Sequence, residues 1–155
     1  MFEVILMMIM ISQTHLVAEC AIEDPMTIAM HKEAMKHRKE YNLKPQILDK
    51  ECCQIAQKWA EHMASQHSMY HGGGEQIVAV GYATPESAFG GWMGSSGHRY
   101  WVLSGTDKCG WGAAQSSTGR WYWAGAFRNS ANKPPPKPTV YASTRRFRFQ
   151  LFKRR

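Results

Sequence analysis

Two histidines stand in settings that suit a cleft wall better than a core. His71 opens the run His-Gly-Gly-Gly-Glu75, and His98 lies in Gly94-Ser-Ser-Gly-His98-Arg99. Glu75 is four residues beyond His71 across a glycine run, so its carboxylate can fold back toward the imidazole. Two imidazoles and a carboxylate are the groups that a labile divalent-metal site needs, zinc included, and equally the groups of acid–base chemistry near neutral pH. The bland alternative is a pair of solvated loop histidines, and spacing alone leaves it open. Ser95 and Ser96 sit between glycines, but the Gly-x-Ser-x-Gly order of a nucleophile elbow is not met. Cys52 and Cys53 both sit on a mainly buried helix, which disfavours a thiolate nucleophile.

The elements that must position these groups are legible from caps and periodicity. Asp24-Pro25 starts a helix, Asp as the cap and Pro in the first turn, and Asn42 and Pro45 mark its end. Asp49 caps a second helix to about Ser65, on which Cys52, Ile55, Ala56, Trp59, Ala60 and Met63 form one apolar face. A loop from His67 to Gly74 carries the first histidine. Thr84-Pro85-Glu86 starts a third helix with Ala88, Phe89 and Trp92 inward, and a short fourth turn holds His98 to Leu103. Gly110 to Gln115 and Trp121 to Phe127 read as two strands of a hairpin around Ser116–Arg120. Helices preceding a hairpin imply a sandwich in which helices cover a small sheet. Trp101, Trp111, Trp121 and Trp123 read as core, and Arg99 as structural.

Composition separates this body from its ends. Apolar residues make up 44% of the 155-residue chain, which suits one globular domain. The net charge of +7 is unevenly placed. Eight basic residues and no acidic ones lie between Asn132 and Arg155, leaving 11 basic against 12 acidic residues elsewhere. A near-neutral body argues against specific nucleic-acid binding. The chain divides into a signal-like segment at 1–21, a domain at 22–130, and a Pro-rich linker with a basic tail at 131–155. The apolar run Val4–Ile11 is too short to cross a bilayer, which takes about 20 residues. It has the length of a secretory h-region, with small residues around Ala18 for cleavage, although Glu3 replaces the usual basic start. Leu16-Val-Ala-Glu-Cys20 hints at a lipoprotein box that Glu19 spoils. The four cysteines have no zinc-type CxxC spacing, so the reading is a buried Cys52 and at most one bridge to Cys109.

The ordered set Leu43-Lys-Pro45, Leu48-Asp49, Ala56-Gln57, Met63-Ala64, Ser68-Met-Tyr-His71, Gly74-Glu-Gln-Ile77, Trp92-Met-Gly-Ser-Ser-Gly-His-Arg99, Cys109-Gly-Trp-Gly-Ala113, Trp121-Tyr-Trp123 and Phe127 resembles the bacterial branch of the CAP superfamily, over about residues 26–129. That superfamily comprises cysteine-rich secretory proteins, venom allergens and plant pathogenesis-related proteins. The resemblance implies an α/β fold, an α-β-α sandwich with a small antiparallel sheet flanked by helices. It implies secretion, and a cleft holding two histidines and two acidic residues. His71, Glu75 and His98 fall on three of these positions, with His71 and His98 as the metal-ligand candidates. The fourth position falls on Ser95, so the full acidic set is absent. Glu86 is the nearest substitute, although a carboxylate in the first turn of a helix also simply complements the helix dipole.

Three functions follow as expectations. The first is a secreted module holding a small lipid- or sterol-like ligand in the cleft. The second is a metal-assisted hydrolase in the same cleft. The third is a surface-anchored protein acting through its tail. In that tail Phe147, Phe149 and Leu151 alternate with Arg146, Arg148 and Gln150, and the basic density suits an anionic polymer or membrane surface. Each basic residue near such a surface contributes on the order of 1 kcal/mol, screened within about 10 Å at 0.1 M salt. The full chain is expected to bind anionic vesicles over neutral ones in a salt-sensitive manner, and a chain ending at Asn129 to lose that binding. Equal vesicle binding by the two chains would show the tail has no such role.

Overall fold

A computed structural model describes residues 22–130. The expected signal segment, Cys20, the linker and the basic tail lie outside the described residues. Eight elements follow in order: α1 (Pro25–Glu40), β1 (Ile47–Leu48), α2 (Lys50–Ser65), β2 (Ile77–Val80), α3 (Pro85–Gly94), α4 (Ser96–Val102), β3 (Lys108–Gln115) and β4 (Trp121–Arg128).

The caps act as their residue types require. Asp24 accepts from the Thr27 amide at 2.8 Å, and Asp49 from the Cys52 amide at 3.1 Å. Thr84 and Ser87 form a reciprocal capping box at the start of α3. Asn42, just past α1, takes a left-handed φ of 55°, a conformation its short polar side chain tolerates. Asp49 also binds Lys108 at 2.8 Å. Partial burial works against its charge, but the bonds from Lys108 and the Cys52 amide outweigh that and hold its pKa below the ordinary carboxylate value.

The sheet runs β1-β3-β4-β2, the expected antiparallel sheet extended by one short parallel edge strand that makes the whole mixed. β3 and β4 form the expected hairpin, in register from Lys108↔Arg128 to Gln115↔Trp121. β2 adds to β4 antiparallel, while β1 adds to β3 in parallel. Neither β1 nor β2 was foreseen. β1 is two residues long and β2 four, too short for a period-two pattern to show.

Alternation along the strands builds two layers. Trp123 and Phe127 of β4, Cys109 and Trp111 of β3 and Ile77 of β2 join Met30, Ala34, Phe89, Trp92 and Leu103 in one cluster under α1, α3 and α4. Tyr122, Ala124 and Ala126 of β4 and Val78 of β2 face Cys52, Ala56, Ala60 and Met63 of α2 on the other side. The result is the expected helix–sheet–helix sandwich. Phe89 packs edge-on against both Trp92 and Trp111, with ring centres 5.0 and 4.9 Å apart, a preferred aromatic geometry.

The same alternation explains the cysteines. Cys52, Cys53 and Cys109 are free and buried. Cys109 belongs to the face opposite α2, where its sulfur meets His31 Nδ1 at 3.5 Å, so the sheet separates it from Cys52 and no bridge forms. Burial raises the thiol pKa to about 12 for Cys52 and about 11 for Cys53, and raises that of Cys109 too. All three are protonated and inert at neutral pH. Among the described residues no helix is long and apolar enough to cross a membrane.

Two glycines let α2 lie against β3. A Cβ on Gly110 would fall 2.1 Å from the Cys53 nitrogen, and one on Gly112 would fall 2.3 Å from the Gln57 nitrogen. Backbone atoms cannot swing aside as a side-chain tip can. Gly90, by contrast, sits in α3 with nothing within 4 Å of its would-be Cβ. Gly112→Ala is therefore expected to lower stability by about 3 kcal/mol through overpacking. Gly90→Ala is expected to raise it by roughly 0.5–1 kcal/mol through helix propensity. Urea unfolding of the two variants checks the opposite signs.

Candidate functional site

The site is assembled around one indole. Trp59 projects from α2, and its Nε1 donates to the Tyr70 carbonyl at 2.7 Å. The Tyr70 ring meets it edge-on at 5.1 Å, and His62 stacks on it at 4.9 Å while bonding the Tyr70 hydroxyl at 2.5 Å. The chain then crosses the indole face. A Cβ on Gly72 would lie 3.1 Å from the Trp59 ring and one on Gly73 only 2.4 Å from it. Gly74 follows with φ +90°. The glycine run is thus required by close passage over Trp59 and by a left-handed turn.

This path fixes Glu75. Its side chain is fully buried, while that of His71 is 54% exposed. One carboxylate oxygen accepts from His71 Nδ1 at 2.9 Å and from the Gly72 amide at 3.2 Å, and the other from the Gly73 amide at 2.8 Å. Glu75 therefore folds back on His71, as the spacing suggests, but it is committed to the loop. It orients the imidazole and leaves Nε2 outward, the usual relation between a carboxylate and a working histidine.

His98 reaches the site from the other side. The Ser95 amide donates to the Trp92 carbonyl at 3.1 Å and closes α3, after which Ser95 takes an extended backbone and begins α4. Arg99 donates to the Met93 carbonyl at 3.0 Å and ties the two helices together, the structural role expected of it. His98 and Ser95 line a cleft of about 280 Å³. Met69, Val78, Val80, Tyr82 and Trp92 supply its apolar wall, together with Ala79 and Gly91. Tyr82 can lie on α3 because Gly91 has no side chain; a Cβ there would fall 2.3 Å from the Tyr82 hydroxyl.

The sequence-predicted residues thus divide. His71 and Glu75 are bonded to each other, and His98 and Ser95 line the cleft together. His71 is close enough for its charge to be felt at His98, and it shares a loop with the cleft residue Met69. Glu86 does not line the cleft. It is exposed in the first turn of α3, where its backbone and Thr84 hydrogen bonds lower its pKa. Met69, Tyr82 and Gly91 were not anticipated as site residues, and Trp59 was read only as part of an apolar helix face. The triple glycine was the available signal for a close approach. A second groove, of about 270 Å³ beside His67 and Ser117, holds none of the predicted residues.

The donor set limits any metal. Among the described residues no three His, Cys, Asp or Glu side chains stand together so as to hold an ion. With both Glu75 oxygens engaged, the candidate ligands reduce to the two imidazoles. These fit a weak, exchangeable divalent ion and not a closed structural site, which takes four ligands.

The fold is an α-β-α sandwich with a cleft between α3 and β2. Residues 35–127 match the cysteine-rich secretory protein (CAP) family, and the chain belongs to that family. No curated protein matches the sequence. Among solved structures it is similar to an outer surface protein of Borrelia burgdorferi, with 17% identity and a TM-score of 0.56 over 64% of this chain and 88% of that one. At that identity the likeness carries the fold.

Burial, and then the positive charge of His71, lowers the pKa of His98 below its ordinary 6.5; burial alone lowers that of His31. A histidine depressed in the folded state binds its proton more readily when unfolded. The stability it contributes is full above about pH 6.5 and is lost as pH falls through the folded pKa. Unfolding midpoints are expected to decline from pH 7 toward pH 5. By NMR, His98 is expected to titrate below 6.5 and to move upward in His71→Ala. An unchanged His98 titration in that variant would separate the two rings.

Proposed function

We propose that this CAP-family protein is an extracytoplasmic, non-catalytic recognition module that holds a small amphipathic ligand in the cleft between α3 and β2. The observation that carries the reading is the composition of the cleft. An apolar wall of Met69, Val78, Val80, Tyr82 and Trp92 meets a polar end formed by Ser95 and His98. Ligand clefts typically pair apolar walls with a few placed polar groups. The extracytoplasmic setting is supported by the secretory character of the cysteine-rich secretory protein family, by the surface location named for the Borrelia protein, and by the signal-like residues Val4–Ile11.

The metal-assisted hydrolase is the weaker reading. Glu75 would have to be ligand or base, and its two oxygens are held by His71 and two backbone amides. Ser95 stands where the family places a further acid. A divalent ion is retained only as a weak, proton-competed guest of His71 and His98, since both imidazoles must be neutral to bind it. The tail's affinity for anionic surfaces would place the domain near a membrane without contributing to the cleft.

Decanoate is a suitable probe, having one apolar chain and one polar head. Titrated into the full chain, it is expected to shift the NMR signals of Met69, Val80 and His98 saturably, and Met69→Asp to weaken it at least tenfold. No saturable shift at these residues would overturn the lipid-like reading. Zinc calorimetry at neutral pH is expected to show a small heat that disappears in the His71→Ala/His98→Ala variant. Equal heats in both proteins would remove the metal from the cleft.

A further inference from the structure

The floor of the cleft is a sheet edge. Gly81 donates to the Trp121 carbonyl at 2.9 Å, so Gly81 and Trp121 form a hydrogen-bonded pair. In an antiparallel ladder such pairs recur at every second residue. With the register Ala79↔Trp123 and Ile77↔Gly125, those residues bond to β4, and the backbone groups of Val78 and Val80 point the other way. β3 bonds to the opposite edge of β4, so nothing in the sheet covers this side of β2. Both valines line the cleft.

Of the four outward groups one is engaged. The Trp92 indole donates to the Val78 carbonyl at 3.0 Å. Among the described residues the Val78 amide and both backbone groups of Val80 have no hydrogen-bond partner. Sheet edges that a protein does not use are ordinarily blunted by a charge, a proline or a covering element. This one is concave, flanked by α3 and by Tyr82, and carries no charge and no proline at 77–80.

We propose that the cleft takes a short extended peptide segment of a partner protein, added as a strand to the edge of β2. The inference rests on the ligand-binding reading of the cleft and names the class of ligand. The chemistry selects a peptide backbone. Two amide donors and one carbonyl acceptor lie along an edge where alternate residues repeat at about 6.7 Å. Only a ligand with acceptors and a donor at that repeat satisfies all three. An acyl chain would displace water from these groups and replace none of its hydrogen bonds, whereas a peptide restores them.

The length of the ligand is also set. Val80 can exchange two hydrogen bonds with the facing residue, and Val78 can give one. At the Val78 carbonyl the indole of Trp92 occupies the next position and ends the ladder. Pairing therefore spans about three ligand residues, by the two-residue alternation of the ladder. One ligand side chain faces the apolar wall of Met69 and Trp92. Recognition is then largely of the backbone, with modest preference for an apolar residue.

The probe is acetyl-Ala-Val-Ala-amide, compared with the same peptide N-methylated at its first alanine, the residue that faces Val80 and donates to its carbonyl. Both carry the same side chains, but the second lacks one donor and resists strand pairing. With the full chain, the plain peptide is expected to shift the Val78 and Val80 amide signals and slow their hydrogen exchange. The methylated peptide is expected to bind at least tenfold more weakly. Trp92→Phe, which frees the Val78 carbonyl, is expected to tighten the plain peptide while leaving the methylated one weak. Equal binding of the two peptides would overturn the proposal, as would decanoate shifting the cleft while neither peptide does. The latter result would leave the general cleft reading intact. Binding of the plain peptide without decanoate would remove the lipid-like reading and sustain this one. Slow exchange at Val78 and Val80 in the peptide-free full chain, lost on truncation after Asn129, would assign the edge to the chain's own tail and overturn the assignment to a partner.

Discussion

The contact between the backbone of α2 and the glycine face of β3 sets the height of everything built above it. Gly110 and Gly112 present no side chain toward the helix, and their would-be Cβ positions coincide with main-chain atoms of Cys52, Cys53, Ala56 and Gln57. The helix therefore rests on the sheet at backbone distance, which is why this layer of the core is made of Cys, Ala and Met with few large residues. At that height Trp59 emerges beside the sheet, where it supports the loop that carries His71. Gln57 locks the arrangement by exchanging side-chain hydrogen bonds with both backbone groups of Ala113 at 3.1 Å. The opposite layer has no such restriction and holds the bulk of the aromatic rings.

The division of labour among the polar groups follows from burial. Glu75 can be fully enclosed because two loop amides and one imidazole meet its oxygens, as a buried carboxylate requires. The cost of that satisfaction is availability: a carboxylate so engaged positions its neighbour better than it serves as ligand or base. His98 is only partly buried and keeps an accessible ring, so it meets ligands while its neighbour His71 discourages its protonation. Burial is the larger cause of the lowered His98 pKa, so the cleft meets its ligand with a neutral His98 ring at physiological pH.

Much of the local structure was legible because local rules govern it. Asp24, Asp49 and Thr84 cap helices wherever they stand before an apolar run, and Ser116–Arg120 turns between two aromatic-rich strands. Glycine-rich settings drew attention to His71, Glu75 and His98, and the family resemblance added Ser95 as the position of a missing acid. It also drew attention to Glu86, which the fold leaves in solvent at a helix start. What stayed hidden had no local signature. Ile47–Leu48 and Ile77–Val80 are strands only because β3 and β4 offer edges to them.

The sequence by itself determined the helix starts, the hairpin, the apolar helix face and the glycine-flanked histidines, since caps, turns and periodicity act within a few residues. Tertiary structure decided the rest. It turned Glu75 inward, put Cys109 across the sheet from Cys52, and passed the glycine run over Trp59. It also aimed the backbone of Val78 and Val80 into the cleft. Each of these depends on contact between residues distant in the chain, and on which face of a strand a side chain or amide occupies once its partner strand sets the register.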